Sequence, residues 1–192
     1  GIAAMTDDCP PPPADSPAAG AAPQRLRVLI ERQTLAREVR RLAQEITRDY
    51  QGRYPLIIGI LKGSFVFLAD LIRYLDFPVT IDLVRLSSYG SQTVSSGQVK
   101  MLHGLEVPVR DRHVLIVDDI VDTGLSLSHF ADYVRQREPA TLKICTLLDK
   151  PSRRQVDIHV DYVGIAIPDQ FVVGYGIDCD EQYRNLCDVC VV

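Results

Sequence analysis

Apolar residues recur along the chain in two alternating periods, one helical and one extended. Leu35, Val39, Leu42 and Ile46 are separated by four, three and four residues, which places them on one face of a helix. Further helices are predicted over residues 65–74 and 125–137, and strands over residues 54–60, 79–86, 114–117, 142–148, 162–165 and 171–173. Strands that alternate with helices predict βαβ units, and therefore an α/β fold with a mostly parallel sheet between helices.

The first 23 residues differ in composition from the rest of the chain. They hold six of the twelve prolines and seven alanines, a composition that cannot bury an apolar core. We therefore expect residues 1–23 to form a disordered or polyproline-like tail and residues 24–192 to form a single domain. Residues 1–4, which precede Met5, are expected to be a remnant of cloning that takes no part in the fold.

The charge balance argues against a general nucleic-acid-binding protein. The chain carries 21 Lys and Arg against 25 Asp and Glu, a net charge of −4. Three of the acids lie in residues 1–23, which contain no Lys or Arg, so residues 24–192 carry 21 basic and 22 acidic side chains. Neutralisation of phosphates by a basic surface dominates the affinity of such binders, and this chain has no basic excess to supply it.

Neither a membrane nor a secreted location is expected. No apolar run reaches the roughly 18 residues that span a bilayer, and the N-terminus lacks the basic and apolar regions of a signal peptide. The five cysteines are odd in number and scattered, which favours a reducing cytoplasm. No second pair accompanies the Cys-x-x-Cys at 187–190, so no zinc site is predicted.

The most informative segment is residues 114–126, where an apolar strand runs into polar residues. Asp118 and Asp119 follow four apolar residues, and Asp-Thr-Gly at 122–124 then opens a predicted helix. Ligands of open parallel sheets bind beyond the carboxyl ends of the strands. Adjacent carboxylates repel each other, so such a site must supply a cation or hydroxyl donors.

The glycine pattern excludes two common nucleotide-binding motifs. A P-loop needs Gly-x-x-x-x-Gly-Lys-Ser/Thr, but no lysine of the chain follows a glycine. A dinucleotide-binding loop needs a third glycine, which the Gly-Tyr-Gly at 174–176 lacks.

The turn at residues 122–126 suits a phosphorylated sugar. Free backbone N–H groups at a helix N-terminus bind anions, and the hydroxyls of Thr123 and Ser126 add donors. Asp118 and Asp119, one short turn away, could accept hydrogen bonds from a sugar diol. The pattern favours a phosphorylated ribose; the alternative is a strand end followed by an ordinary helix cap.

Residues 114–126 resemble the phosphoribosyl-pyrophosphate signature of the type I phosphoribosyltransferases. Four further stretches are similar to that family: a pyrophosphate loop, usually with a cis peptide before its lysine, the start of a flexible lid, a strand presenting a purine-binding lysine, and a hood over the base. They are residues 61–64, 87–90, 147–150, and 171–178 with 183–186. The resemblance covers about residues 28–192 and is greatest to the members that act on hypoxanthine and guanine.

This resemblance implies a fold and an activity. The fold is the type I phosphoribosyltransferase fold, a mostly parallel central sheet flanked by helices with a small C-terminal hood. The activity belongs to purine salvage: the 5-phosphoribosyl group passes from phosphoribosyl pyrophosphate to N9 of hypoxanthine or guanine, giving IMP or GMP and pyrophosphate. Mg²⁺ is the implied cofactor, with Asp178 as its protein ligand, and a homodimer or homotetramer is implied, with the apolar face of residues 65–75 as a candidate contact.

The resemblance also assigns roles to individual residues. Asp122 would lie near N7 of the base, where it could exchange a proton or act by its charge alone. Lys62, Gly63 and Arg184 would hold the pyrophosphate, and Ser88 and Tyr89 would begin the lid. The ribose and its 5′-phosphate would contact Asp118, Asp119, Asp122, Thr123, Gly124, Leu125 and Ser126. The purine would contact Ile120, Lys150, Phe171, Val172 and Asp178.

Several alternatives stay open at this point. Asp178 could cap a turn, Arg184 could be a solvated surface charge, and Phe171 could be an ordinary core aromatic. A regulator of the same fold that binds RNA is the main alternative from another class, although the neutral charge balance argues against it. A transferase that prefers xanthine, adenine or orotate is the other, and a donor from Lys150 to a 6-oxo group favours 6-oxopurines over adenine.

Overall fold

The computed structural model describes residues 26–88 and 99–192; the predicted tail over residues 1–23 and most of the predicted lid lie outside these ranges. The helices there are α1 (Arg32–Asp49), α2 (Phe65–Arg73) and α3 (Leu125–Arg135). The strands are β1 (Arg27–Ile30), β2 (Leu56–Leu61), β3 (Thr80–Ser88), β4 (Val99–His103), β5 (His113–Val121), β6 (Thr141–Asp149), β7 (Tyr162–Ala166), β8 (Val172–Val173) and β9 (Val189–Val191), and a 3₁₀ turn spans Pro151–Arg153. Within the same ranges no helix is long and apolar enough to cross a membrane.

Six strands form the central sheet, in the order β4-β3-β2-β5-β6-β7. Neighbouring strands are parallel except for β4, which runs antiparallel to β3. Five of the six residues of β2 are buried, as expected for a strand with both faces covered. The predicted α/β fold with a mostly parallel sheet is confirmed.

Helices cover both faces of this sheet. Leu35 of α1 and Phe67 of α2 join Ile57 of β2 in one apolar cluster, whereas Phe130 of α3 joins Leu56 in another on the opposite face. Adjacent residues of β2 enter different clusters because successive side chains of a strand point to opposite faces. The residues selected by helical spacing are all fully buried, which confirms the predicted face: Leu35, Val39, Leu42 and Ile46.

A smaller antiparallel sheet forms the predicted hood, in the order β1-β9-β8. Its strands β8 and β9 come from the C-terminal region, but β1 comes from the start of the described chain and pairs with β9. Strands β1, β4 and β9 were not predicted from the sequence. Strand β8 is also shorter than the predicted strand over 171–173, because a strand of two or three residues has too little pattern to define its ends.

Two buried carboxylates attach the hood to the helices. Asp188 lies just before β9 and accepts hydrogen bonds from the backbone N–H of Arg32 at 2.7 Å and from its guanidinium at 2.8 Å. The pKa of Asp188 is lowered, chiefly by these hydrogen bonds from Arg32. Asp70 of α2 is also buried and accepts a hydrogen bond from the hydroxyl of Tyr175. These contacts attach the C-terminal part of the hood to α2 through Tyr175 and to α1 through Asp188.

We expect Asp188→Asn to destabilise the protein by about 1–3 kcal/mol, because a neutral amide replaces the buried carboxylate that accepts three hydrogen bonds from Arg32. For a chain of this size the loss corresponds to a fall of several degrees in Tm. A lowered pKa contributes stability above the ordinary pKa of an aspartate, and this contribution disappears as the pH falls through the lowered value. The difference in Tm between the two proteins should therefore be full at pH 7 and shrink in strong acid.

Asp132→Asn is the matched control for this experiment. Asp132 pairs with Arg135 on the surface of α3, where both side chains are more than half exposed, so its loss should change the stability by less than about 1 kcal/mol. Equal Tm shifts for the two variants would contradict the role assigned to Asp188.

Candidate active site

The carboxyl ends of three adjacent strands bring the predicted residues to one edge of the sheet. Strand β2 ends immediately before Lys62 and Gly63, and β6 ends immediately before Lys150. Strand β5 lies between them and contains Asp118 and Asp119. This edge is where open parallel sheets bind their ligands.

Strand β5 is longer than the apolar run that predicted it. It continues to Val121, which pairs with Asp149 of β6, and Asp118 pairs with Thr146. The prediction that the two aspartates follow the strand is therefore wrong. Backbone pairing with β6 continues the strand through polar residues, and a run of apolar residues in the sequence does not indicate that continuation.

Asp118 and Asp119 are side by side and partly buried. Burial, followed by the charge of Asp119, raises the pKa of Asp118 well above the usual range. Burial also raises the pKa of Asp119, although hydrogen bonds and the nearby Arg184 oppose that shift. Two carboxylates that resist ionisation together are suited to a ligand that brings hydroxyl donors or a cation.

We expect Asp118→Asn to raise the stability of the ligand-free protein at pH 8 by about 1 kcal/mol, or about 2–4 °C in Tm. A raised pKa in the folded state means that stability is present below the ordinary pKa of the group and is lost as the pH rises through the raised value. Asparagine removes this loss. The gain in Tm should therefore shrink as the pH is lowered toward 4, where the wild-type carboxyl is protonated.

The control for Asp118→Asn is Asp157→Asn, which removes the same charge from an exposed side chain. Thermal unfolding of the three proteins between pH 4 and 8 makes the comparison. A gain that does not vary with pH, or that is equal for Asp157→Asn, would contradict the interpretation.

Glycines let the loop after β2 approach the aspartates closely. The peptide before Lys62 is cis, as the resemblance implied. A Cβ atom placed on Gly63 would lie 1.9 Å from Oδ2 of Asp119, and one placed on Gly176 would lie 2.2 Å from the carbonyl oxygen of Gly63. Real side chains do not fit these distances, so the loop, the aspartate pair and the hood meet in van der Waals contact.

The turn at 122–126 has the geometry of an anion site. Gly124 adopts a left-handed conformation with φ of 81°, which favours glycine, and α3 begins at the next residue. No side chain caps this helix, and the backbone N–H of Leu125 makes only a long 3.4 Å contact with the hydroxyl of Thr123. First-turn N–H groups therefore remain available to a phosphate. The backbone contact expected of Leu125 stays a prediction.

Three cationic residues after β6 surround Asp122. The ammonium of the buried Lys150 lies 3.6 Å from its carboxylate, and Nε of Arg153 lies 3.1 Å from it. Arg154 donates to the backbone carbonyl of Asp122 at 3.1 Å and also pairs with Asp149. Sequence reasoning identified Lys150 but missed the two arginines, although their position after the predicted lysine could have indicated them.

The hood contributes a second group of charges beside the loop after β2. Arg184 donates to the carbonyl of Gly176 at 2.9 Å and pairs with Asp178 at 2.8 Å. Its side chain is 18% exposed, so the alternative of a solvated surface charge is wrong. Glu181 pairs with both Lys62 and Arg184. Sequence reasoning missed Glu181, because an exposed acid in a loop carries no pattern.

The residues expected to contact a base differ in how far they are exposed. Phe171, just before β8, is 56% exposed, which excludes an ordinary core aromatic. Ile120 is partly buried and Val172 is buried in the same cluster, so only the backbone of Val172 could meet a ligand. For the lid, Ser88 ends β3, while Tyr89 lies outside the described residues.

Asp178 is the candidate metal ligand. Its side chain is partly exposed. Oδ1 pairs with Arg184, and Oδ2 accepts a hydrogen bond from the backbone N–H of Glu181 at 3.0 Å. Among residues 26–88 and 99–192 no three His, Cys, Asp or Glu side chains cluster as a protein-only metal site. A single carboxylate fits Mg²⁺, which binds through one or two carboxylates, waters and substrate phosphates.

Comparison with known proteins finds matches in both sequence and fold. Residues 29–180 match the model of the phosphoribosyl transferase domain. A hypoxanthine-guanine phosphoribosyltransferase of Bacillus subtilis is 48% identical over 160 residues, which cover 83% of this chain and 89% of that protein. One of Aquifex aeolicus is 42% identical over 170 residues, covering 88% of this chain and 96% of that protein.

A crystal structure of a hypoxanthine-guanine phosphoribosyltransferase from Bacillus anthracis, with HEPES in its active site, superposes with a TM-score of 0.83 at 49% identity. The match covers 86% of this chain and 98% of that one. A hypoxanthine phosphoribosyltransferase from Staphylococcus aureus gives a TM-score of 0.83 at 41% identity, over 86% of this chain and 90% of that one.

Proposed function

The chain belongs to the phosphoribosyltransferase family, and from this premise we propose that it salvages purines by transferring the 5-phosphoribosyl group of phosphoribosyl pyrophosphate to N9 of hypoxanthine or guanine. The products are IMP or GMP and pyrophosphate. The observation that carries the proposal is the convergence of the aspartate pair, the uncapped turn and Lys150 at one edge of the sheet. Relatives above 40% identity that carry this activity by name support the choice of substrates.

The phosphorylated ribose would bind at the end of β5. Its 5′-phosphate would accept hydrogen bonds from the first-turn N–H groups of α3 and from the hydroxyls of Thr123 and Ser126. Its two ring hydroxyls would donate to Asp118 and Asp119. Close packing of Gly63 on Asp119 would place the adjacent pyrophosphate beside the loop after β2.

The reaction breaks the bond between C1 of the ribose and the pyrophosphate oxygen and forms a bond from C1 to N9. The electron pair leaves with pyrophosphate, so its developing charge must be stabilised. Lys62 and Arg184 are proposed to hold the leaving group. Mg²⁺, when bound with the substrate at Asp178, adds positive charge to the same group. The purine loses one proton, which the carboxylate of Asp122 is proposed to accept near N7.

The purine itself would be selected by Lys150. Its ammonium donates hydrogen bonds and cannot accept them, so it suits the 6-oxo group of hypoxanthine or guanine. The exposed ring of Phe171 would stack on the base, worth about 1–3 kcal/mol by analogy with other base–aromatic contacts. Ile120 would contact the opposite face of the base. A lid beginning at Ser88 and Tyr89 would exclude water from the reacting C1.

We also propose an assembly and a location for the protein. The apolar face of residues 65–75, expected as a subunit contact, packs largely into the chain's own core, since Phe67, Leu68 and Leu71 are buried. Phe65 is 46% exposed, and we propose it as one apolar contact of a homodimer or homotetramer. The odd number and scatter of the five cysteines support a cytoplasmic location.

The test is to incubate the protein with phosphoribosyl pyrophosphate and Mg²⁺ and to offer hypoxanthine, guanine, xanthine and adenine separately. Chromatography should detect IMP and GMP from the first two bases and far less AMP from adenine. If neither hypoxanthine nor guanine gives a nucleotide, the proposal is contradicted. No observation in the described structure favours the RNA-binding alternative.

A further inference from the structure

We infer that Glu181 is an internal anion of the pyrophosphate subsite, which pairs with the two cations there and must be displaced when pyrophosphate or phosphoribosyl pyrophosphate binds. The inference rests on the proposed function, because that function makes Lys62 and Arg184 the pyrophosphate-binding residues. It assigns to Glu181 a role in setting the affinity for substrate and product.

The geometry places one carboxylate oxygen of Glu181 between cations from two separate parts of the fold. Oε2 lies 2.8 Å from Nζ of Lys62, in the loop after β2, and 3.1 Å from Nη2 of Arg184, in the hood. These two cations are the ones that the leaving group needs. The pKa of Glu181 is lowered, first by its hydrogen bond with Lys62 and then by that with Arg184. Both cations therefore stabilise the charged carboxylate.

The backbone fixes Glu181 at this position. Its φ is 62°, a left-handed conformation that few residues other than glycine adopt. Its backbone N–H donates to Oδ2 of Asp178 at 3.0 Å, and a tight turn between Cys179 and Gln182 encloses it. The acid is thus presented to the subsite by a defined turn.

Arg184 does not depend on Glu181 for its position. Its Nη1 donates to the carbonyl of Gly176 at 2.9 Å, and its Nη2 also pairs with Asp178 at 2.8 Å. Its Nε is buried and, within the described residues, has no hydrogen-bond acceptor. The guanidinium would therefore stay in place after Glu181 leaves, with donors free for an incoming anion.

The contact is also weak enough to be displaced. The side chain of Glu181 is 62% exposed and that of Lys62 is 41% exposed, and exposed ion pairs contribute little to stability. Pyrophosphate carries more charge than a carboxylate and should replace it on both cations. The cost of breaking two such pairs should weaken anion binding by about three- to tenfold.

The experiment is isothermal titration of the full chain with Mg²⁺-pyrophosphate, comparing wild type with Glu181→Gln. The amide keeps the size of the side chain and removes its charge, so we expect the Kd to fall about three- to tenfold. The KM for phosphoribosyl pyrophosphate should fall as well, while the KM for hypoxanthine stays unchanged. Asp180→Asn is the matched control: Asp180 is the exposed neighbour in the same turn and makes no ion pair with the described residues.

The outcomes separate the inference from the function on which it rests. An unchanged Kd in Glu181→Gln, or an equal fall in Asp180→Asn, overturns the inference. A higher Kd in Glu181→Gln also overturns the inference. Glu181 would then position the two cations for pyrophosphate and would not compete with pyrophosphate for them. If wild type forms no nucleotide and does not bind pyrophosphate, the proposed function itself fails.

Discussion

Asp122→Asn should lower kcat for hypoxanthine by about 10²–10⁴-fold, the range expected when a general acid or base is lost. Asparagine keeps the shape of the side chain but cannot accept the proton at N7 of the purine. The contact from Arg154 is made to the backbone carbonyl of Asp122, so the turn that precedes α3 should persist. The loss should therefore fall on kcat, with the KM for phosphoribosyl pyrophosphate changed much less. Steady-state kinetics with each substrate varied in turn measures the two effects separately.

The control is Asp169→Asn, which removes the other carboxylate near Arg153. Asp169 lies 3.6 Å from Nε of Arg153 and is 56% exposed, yet it contacts neither Lys150 nor the turn among the described residues. Its loss should leave kcat within a few-fold of wild type. Near-normal turnover of a folded Asp122→Asn protein would contradict both a proton-transfer role and an electrostatic role for Asp122.

The regular fold could be predicted because its signals are local. The spacing of Leu35, Val39, Leu42 and Ile46 defines the buried face of α1 without reference to any other element. The apolar run at residues 114–117 marks β5 for the same reason. Strands β1 and β9 are different: each is short, and they pair across almost the whole chain, so no nearby residue indicates the partner. Such strands are defined by the sheet that they join.

The residues of the candidate site also differ in whether the local sequence identifies them. Asp118, Asp119 and Lys150 could be identified because each is a charged residue just after a run of apolar residues, where burial of a charge calls for an explanation. Arg153 and Glu181 are charged residues in loops, where charge is ordinary. Their significance comes from partners 31 and 119 residues away in sequence. Contacts over such separations depend on the assembled sheet and hood.

Lys150→Gln should lower kcat/KM for hypoxanthine and guanine by about 10²-fold, the equivalent of one charged hydrogen bond. Lys150 is buried and follows β6 directly, so its ammonium, which lies 3.6 Å from the carboxylate of Asp122, has little access to water and can donate to a further acceptor. A 6-oxo group supplies one, whereas the 6-amino group of adenine presents a second donor. Glutamine offers both a donor and an acceptor, so activity with adenine should not fall in parallel. The ratio of kcat/KM for hypoxanthine to that for adenine should drop at least tenfold.

Lys143→Gln tests whether the loss of another lysine, one within β6, gives the same result. Lys143 lies near the opposite end of β6 and pairs with Asp49 at 2.8 Å, so its loss should leave the preference between bases unchanged. Lys150→Gln could also lower activity by disturbing Asp122, whose carboxylate lies 3.6 Å from the ammonium. That effect would reduce turnover with every base equally. Only a change in the ratio of kcat/KM for hypoxanthine to that for adenine shows that Lys150 recognises the group at position 6 of the purine. An unchanged ratio in an active Lys150→Gln protein would contradict that role.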